Sequence, residues 1–206
     1  MLAGGLSSRM GRDKALVEFR GQPLVAHALG ILCGAGLTAS IAGARSTLRA
    51  FAPVIEDREA GLGPLSGICS ALASSAARWA VFVSVDAPLI PASLVRYLLE
   101  HAEITGGAVT LPSVAGFTQT FPAVLDRAVL SLLQSELGAG RGGCFAAFKS
   151  AAAGLGQQVS VIATELLVQA GQVAHPEGLP AARWFFNVNS ADDLRRVEAH
   201  RAGFVA

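Results

Sequence analysis

Apolar runs that fit strands alternate along the chain with apolar stripes at helical spacing. The clearest run, Trp79-Ala-Val-Phe-Val-Ser-Val-Asp86, is apolar on both faces and stops at a carboxylate, as expected of a central parallel strand covered by helices. Ahead of it, Ala15 to Gln22 reads as a short extended segment with a turn at Gly21. Pro23 then opens a helix whose Leu24, Val25, Ala28, Leu29 and Leu32 share one face, and Gly34 and Gly36 end it. Leu37 to Gly43 and Ala50 to Asp57 read as short strands. Gly61 to Gly67 is a glycine-rich loop leading into an Ala-rich helix through Ile68, Leu72 and Ala76.

The same alternation continues after Asp86. A helix is predicted from about Pro91 to His101, a strand at Gly107–Leu111, a loop and strand over Val114–Leu125, and helices over Asp126–Leu137 and Cys144–Ala153. Gln157 to Ile162 reads as a strand, and Ala163 to Pro180 carries little signal. Ala182 to Asn189 reads as a late aromatic strand, after which Ser190 caps a last helix and Asp192 and Asp193 suit the positive end of its dipole. This order predicts an α/β, three-layer, Rossmann-like arrangement around a mostly parallel central sheet. With no internal repeat or linker in view, residues 1–206 are expected to form one domain.

The first residues concentrate chemistry. Gly4, Gly5 and Gly11 let the backbone approach an oxyanion closely, Ser7 and Ser8 add hydroxyls, and Arg9 and Lys14 add fixed charge. Successive amides in such a loop form an anion-binding nest, so a polyphosphate is the expected ligand. The alternative is a Gly/Ser turn with both cations solvated. The string fits neither the P-loop nor the dinucleotide fingerprint. Only Met1, Leu2 and Ala3 precede the glycines, so the first strand is expected to be truncated. Loss of a central strand would expose two sheet edges, and we expect the upstream reading frame to continue with roughly four to six apolar codons.

Composition narrows the partners. The 206 residues are 52% hydrophobic and 15% charged, with a formal net charge of +1. That suits a substantial core and offers no basic face for a nucleic-acid backbone. No eighteen-residue apolar run points to a membrane. Cys33, Cys69 and Cys144 are widely spaced among small or apolar residues, so buried free thiols in a reducing cytoplasm are expected. No thiolate or imidazole metal site is supported, and no histidine is positioned to activate Ser7 or Ser8.

Polyphosphate binding beside a carboxylate suggests Mg²⁺, which is usually held by one or two carboxylates plus phosphates and water; Asp86 is the candidate ligand. The fitting chemistry is nucleotidyl transfer, in which an acceptor phosphate attacks the α-phosphorus and pyrophosphate leaves. The Gly138–Gly143 segment around Arg141 fits a helix-helix turn better than a second phosphate site.

These motifs are similar to those of a known family. Leu2 to Lys14 resembles the signature loop of the molybdenum cofactor guanylyltransferases, within the wider nucleotidyltransferase group. Val54-Ile-Glu-Asp57 with Gly63-Pro-Leu-Ser-Gly67 resembles the family's guanosine-holding segments. Ser84-Val-Asp-Ala-Pro88 resembles its metal motif, and Phe186-Asn-Val-Asn189 with Asp192 and Asp193 its Asn-x-Asn stretch. The resemblance implies GTP as substrate, held by Leu2, Ala3, Gly4, Gly5, Arg9, Lys14, Asp57, Gly63, Pro64, Leu65, Gly67 and Asp86. It implies catalysis by Arg9, Lys14 and Asp86, Mg²⁺ on Asp86, and Asn187 and Asn189 facing molybdopterin. It also implies proteins that hand over the cofactor; composition, as above, points to neither nucleic acid nor membrane as partner. Two departures stand out. Ala42-Gly-Ala-Arg45 lacks the usual asparagines, and Gln119 and Pro122 match the acceptor-side pattern only loosely. CTP transfer to the same cofactor, transfer to a sugar or polyol phosphate, and a non-catalytic nucleotide-binding module therefore stay open.

Overall fold

The apolar run from Trp79 pairs on both sides, although only its first half is regular strand. The computed structural model describes residues 1–3, 13–43, 46–57, 62–140 and 143–199. Its strands are β1 (Glu18–Phe19), β2 (Gln22–Pro23), β3 (Ile41–Ala42), β4 (Val54–Ile55), β5 (Trp79–Phe82), β6 (Val109–Val114), β7 (Phe117–Thr118), β8 (Ala123–Asp126) and β9 (Ser160–Ala163). β1 and β2 form a separate hairpin. β3 pairs parallel with β4, and β6 parallel with β9. β8 lies between β5 and β6 and runs against both.

Leu2 joins these pieces through parallel bridges to Ala42 and Ser84. Its amide donates to the Val83 carbonyl at 2.8 Å, and its own carbonyl accepts from Val85 at 3.1 Å. On the other side Ala3 donates to Ala42 at 3.0 Å, and Ala42 donates to Met1 at 2.8 Å. Met1, Leu2 and Ala3, all buried, thus lie between β3 and the segment that follows β5. A cavity of about 260 Å³ beside them is lined by residues including Met1, Ser40, Trp79 and Val81.

Helices cover both faces: α1 (Leu24–Gly34), α2 (Pro64–Ser74), α3 (Ala92–Thr105), α4 (Leu130–Gly138), α5 (Cys144–Gly154), α6 (Thr164–Gln169), α7 (Ala181–Trp184) and α8 (Ala191–Ala199). Alternation along β8 shows the layering, since successive strand side chains point to opposite faces. Ala123 and Leu125 pack with Leu65, Ile68 and Leu72 of α2 and Phe148 of α5, whereas Val124 packs with Leu94 and Leu98 of α3 and Trp184. The architecture is therefore the expected three-layer α/β fold, with β8 and the short edge strand β7 running antiparallel to their neighbours. No described helix is long and apolar enough to cross a membrane.

Three local expectations are corrected. Pro64 to Gly67 is the first turn of α2, not loop, because Gly63 takes the N-cap position at φ 75° and Pro64 follows at the start of the helix, where its missing N–H costs nothing. The late aromatic strand is instead the helical turn α7. Pro180 caps it, and Trp184 is 1% exposed with its indole N–H donating to Leu179 O at 2.8 Å. Cys33 is exposed, while Cys69 and Cys144 are buried free thiols that burial pushes up to about 11.

Candidate active site

Lys14 is delivered by a single tight turn. The Asp13 carboxylate accepts from the Ala15 amide at 3.1 Å and so caps the 3₁₀ turn Lys14–Leu16, while Ala15 is buried beneath it. The Lys14 ammonium then donates to Asp86 Oδ2 and to Asn189 Oδ1, both at 2.7 Å. Three segments distant in sequence converge on one cation, and two of its three N–H donors are satisfied. The Lys14 and Asp86 side chains are 18% and 22% exposed, so water screens this pair less than a surface one.

The long apolar run sets Asp86. Hydrogen bonding of Val83 and Val85 to Leu2 carries the chain to the carboxyl end of the sheet, where ligands of open α/β folds gather. Ser84 lies two residues before Asp86, and its hydroxyl donates to Asp86 Oδ1 at 2.5 Å. The Asp86 main-chain carbonyl accepts from Val188 N–H at 2.8 Å, which ties the 187–189 segment to the same strand end. Val188 is fully buried, and Asn187 and Asn189 on either side are exposed.

A second cluster lies across Leu2. Gly67 leaves a cradle in the first turns of α2. A Cβ added there would come within 3.3 Å of Asp57 Oδ1, 3.6 Å of the Ala42 Cβ and 3.7 Å of Leu2 Cδ2. Asp57 Oδ1 is inaccessible to solvent and has no hydrogen-bond partner; burial raises the carboxyl above its ordinary pKa. An ionised carboxylate with a buried, unpaired oxygen costs stability, and a ligand donor would supply what it lacks.

The sign of that cost is testable. A carboxyl whose folded pKa exceeds its unfolded one binds its proton more tightly when folded. Stability therefore falls as pH rises from the unfolded pKa through the folded one, and stays reduced at neutral pH. Asp57→Ala is expected to stabilise the free protein at pH 7 by about 1 kcal/mol, the low end of the range because the residue is only half-buried. Nucleotide affinity should fall by about tenfold, the equivalent of one charge-assisted hydrogen bond. Denaturant unfolding at pH 4 and pH 7, alongside calorimetric titration, checks both; a variant less stable at pH 7 would contradict the account.

The structure thus groups Lys14, Asp86 and Asn189 on one side and Leu2, Asp57 and Gly67 on the other. Gly63 and Pro64 open α2 beside the second group. Leu65, next in sequence, is 0% exposed, with its side chain in the apolar core. Ala3 is buried in the sheet. Gly4, Gly5, Ser7, Ser8, Arg9, Gly11 and Arg141 lie outside the described residues. Gln119 donates its main-chain amide to Pro112 O at 2.8 Å, within the turn region that follows β7.

Sequence reasoning named Ser84 and Asp193 but missed the contacts that each makes. Ser84 shares a strand face with Asp86, a relation that period-2 spacing would have supplied. Asp193 accepts from Asn189 N–H at 3.0 Å and from the Ser190 hydroxyl at 2.8 Å. The Ser-x-x-Asp spacing is its signal.

Comparison with known proteins adds a family. The family model described as MobA-like NTP transferase domain matches residues 1–158. The molybdenum cofactor guanylyltransferase of Pseudomonas putida strain F1 is 36% identical over 145 residues, covering 68% of this chain and 75% of that protein. Among solved structures, molybdopterin-guanine dinucleotide biosynthesis protein A from Archaeoglobus fulgidus superposes with a TM-score of 0.76 at 21% identity, covering 98% of this chain and 96% of that one. A nucleotidyl transferase from Methanothermobacter thermautotrophicus superposes with a TM-score of 0.70 at 15% identity, covering 97% and 94%. At these identities the structural likenesses speak to fold. With a family match over most of its length and this fold, the chain belongs to the MobA-like NTP transferase family and is a nucleotidyltransferase.

Proposed function

We propose that the protein transfers GMP from GTP to the phosphate of molybdopterin or its molybdenum-loaded form and releases pyrophosphate. The observation that carries this reading is the convergence of Lys14, Asp86 and Asn189 at the carboxyl end of the sheet, with the unpartnered Asp57 carboxylate across Leu2. The guanylyltransferase relatives lend the nucleotide and the acceptor.

In this reading Asp57, with the Gly63–Gly67 start of α2, receives the nucleoside, and Asp57 Oδ1 accepts a donor from it. Leu2 to Gly5, Arg9 and Lys14 receive the triphosphate. An acceptor phosphate oxygen attacks the α-phosphorus in line; the bond to the α,β-bridging oxygen breaks, and its electron pair leaves with pyrophosphate. The attacking oxygen is already anionic, so no residue has to remove a proton. Lys14 stabilises charge that grows on the leaving group, an interaction stronger in the transition state than before it. Asn187 and Asn189 face the acceptor.

The residues suit Mg²⁺. Asp86 has lone pairs beyond those engaged by Ser84 and Lys14. Among the described residues no three His, Cys, Asp or Glu side chains gather around a point, and one carboxylate beside a polyphosphate site is the usual setting for Mg²⁺. Bound there, the ion would neutralise phosphate charge; Asp86 is the residue that would hold it.

Calorimetric titration with GTP, CTP, ATP and UTP in the presence of Mg²⁺ tests the nucleotide. GTP is expected to bind at least tenfold tighter than CTP, and the reverse order would sink the guanylyl assignment. Pyrophosphate release that requires molybdopterin tests the transfer and separates an enzyme from a binding module.

A further inference from the structure

Asp193 stands apart from the Lys14–Asp86 pair, yet it controls the residue that shares Lys14. Asn189 presents its amide oxygen to the Lys14 ammonium at 2.7 Å, and an exposed asparagine holds such a direction only if its backbone is fixed. The Val188 amide supplies one fixed point, through the main-chain carbonyl of Asp86 at 2.8 Å. Asp193 supplies the other. Its Oδ2 accepts from Asn189 N–H at 3.0 Å and from Ser190 Oγ at 2.8 Å, while its own amide donates to Ser190 Oγ at 3.1 Å. In a capping box the N3 carboxylate closes on the N-cap residue. Here Asp193 extends one residue further back, to Asn189.

The consequence is a chain of contacts from α8 to the phosphate-binding lysine. The main chain of Asn189 is held from both sides, by Val188 on Asp86 and by Asp193 on its own amide. Its Cα–Cβ bond is thereby fixed in a direction from which the side-chain carbonyl reaches Lys14. We propose that Asp193 is a positioning residue for nucleotidyl transfer: through the Asn189 amide it aims the Asn189 carbonyl at Lys14, and so sets the ammonium where the polyphosphate binds. The proposal rests on the reading of Lys14 as a phosphate ligand, but on neither the base nor the acceptor.

Inorganic tripolyphosphate is therefore the probe, because it reports the lysine site without base or acceptor. Asp193→Ala is expected to weaken tripolyphosphate binding and lower kcat, each by about tenfold, as for loss of a group that orients a ligand-contacting side chain. Asp193→Asn keeps an acceptor oxygen and should restore both to within about twofold of wild type. The decisive measurement is the cycle with Asn189→Ala. In that background Asp193→Ala should change neither affinity nor kcat further, whereas thermal unfolding should show the lost helix cap equally in both backgrounds. Equal functional losses in both backgrounds would overturn the proposal and leave Asp193 a helix cap. Unchanged tripolyphosphate affinity in Asp193→Ala would overturn it too, as would a wild-type protein that does not bind tripolyphosphate. If the tripolyphosphate affinities follow the cycle as expected but GTP and molybdopterin yield no pyrophosphate, the positioning of Lys14 stands and the guanylyl reading falls.

Discussion

Asp86→Ala is expected to lower kcat by roughly 10²–10³-fold, the range seen when one preorganised charge-stabilising group is removed from a reacting centre. The residue has three attachments in the structure: Lys14 on one carboxylate oxygen, Ser84 on the other, and Val188 on its main-chain carbonyl. The last survives the substitution, so the 187–189 segment should keep its course while the charge disappears. Asp86→Asn isolates the charge, since an amide can still accept from Ser84 but no longer neutralises Lys14. It should be nearly as impaired. Lys14→Ala is expected to fall in the same range, and the Lys14/Asp86 double variant should lose little more than either single one, because residues acting as a unit are not additive. Pyrophosphate release at saturating GTP and molybdopterin measures all four. Full activity in Asp86→Ala would remove the metal assignment and leave the proposed chemistry without its carboxylate.

Trp184→Ala should produce the largest loss of stability, about 3–5 kcal/mol, as expected for truncating a buried aromatic residue. Its ring is 1% exposed and packs with Leu94, Leu98 and Val124, and its indole N–H satisfies the Leu179 carbonyl at 2.8 Å. Against a typical total of about 5–15 kcal/mol, that loss would bring the folded state close to its limit. Trp184→Phe retains most of the volume but abandons the Leu179 carbonyl, so a loss of about 1–3 kcal/mol is expected. Urea unfolding followed by circular dichroism measures both. Because α7 directly precedes the 185–189 segment, Trp184→Ala should also weaken GTP binding under conditions where it remains folded. A cost below about 1 kcal/mol would mean that the ring is not the anchor its burial implies.

Asp86 was legible in the chain because a two-faced apolar run ends on it, and the physics of a buried strand places such a residue at the sheet's ligand-binding end. Asn189 was legible as part of a motif, but its contact with Lys14 was not. The two are 175 positions apart, and no local pattern encodes a meeting made by the sheet. The Ala182–Asn189 segment misled because alternating aromatic and polar residues imitate a strand; Pro180, pre-set for a helix start, was the contrary signal. Cys33 follows Leu32 and so falls off the apolar face of α1 that carries Leu24, Val25, Ala28 and Leu32, which is why it is exposed. The direction of β8 was also hidden, since antiparallel pairing with β5 is made by residues more than forty positions away.

One feature of the sheet bears on how it breathes. Among the described residues, the only strand pairing between β3–β4 and the rest passes through Leu2. Such a narrow seam is where a sheet opens first, and local opening free energies fall well below the global value at sites with few shared hydrogen bonds. Amide protons of Leu2, Ala3 and Ala42 should therefore exchange with deuterium sooner than those of Val124 and Leu125 in the interior of the sheet. A nucleotide that touches Asp57 on one side of the seam and Lys14 on the other would bridge it. Its protection should then be concentrated at these three amides, making the exchange rate along one short backbone stretch a direct report of occupancy.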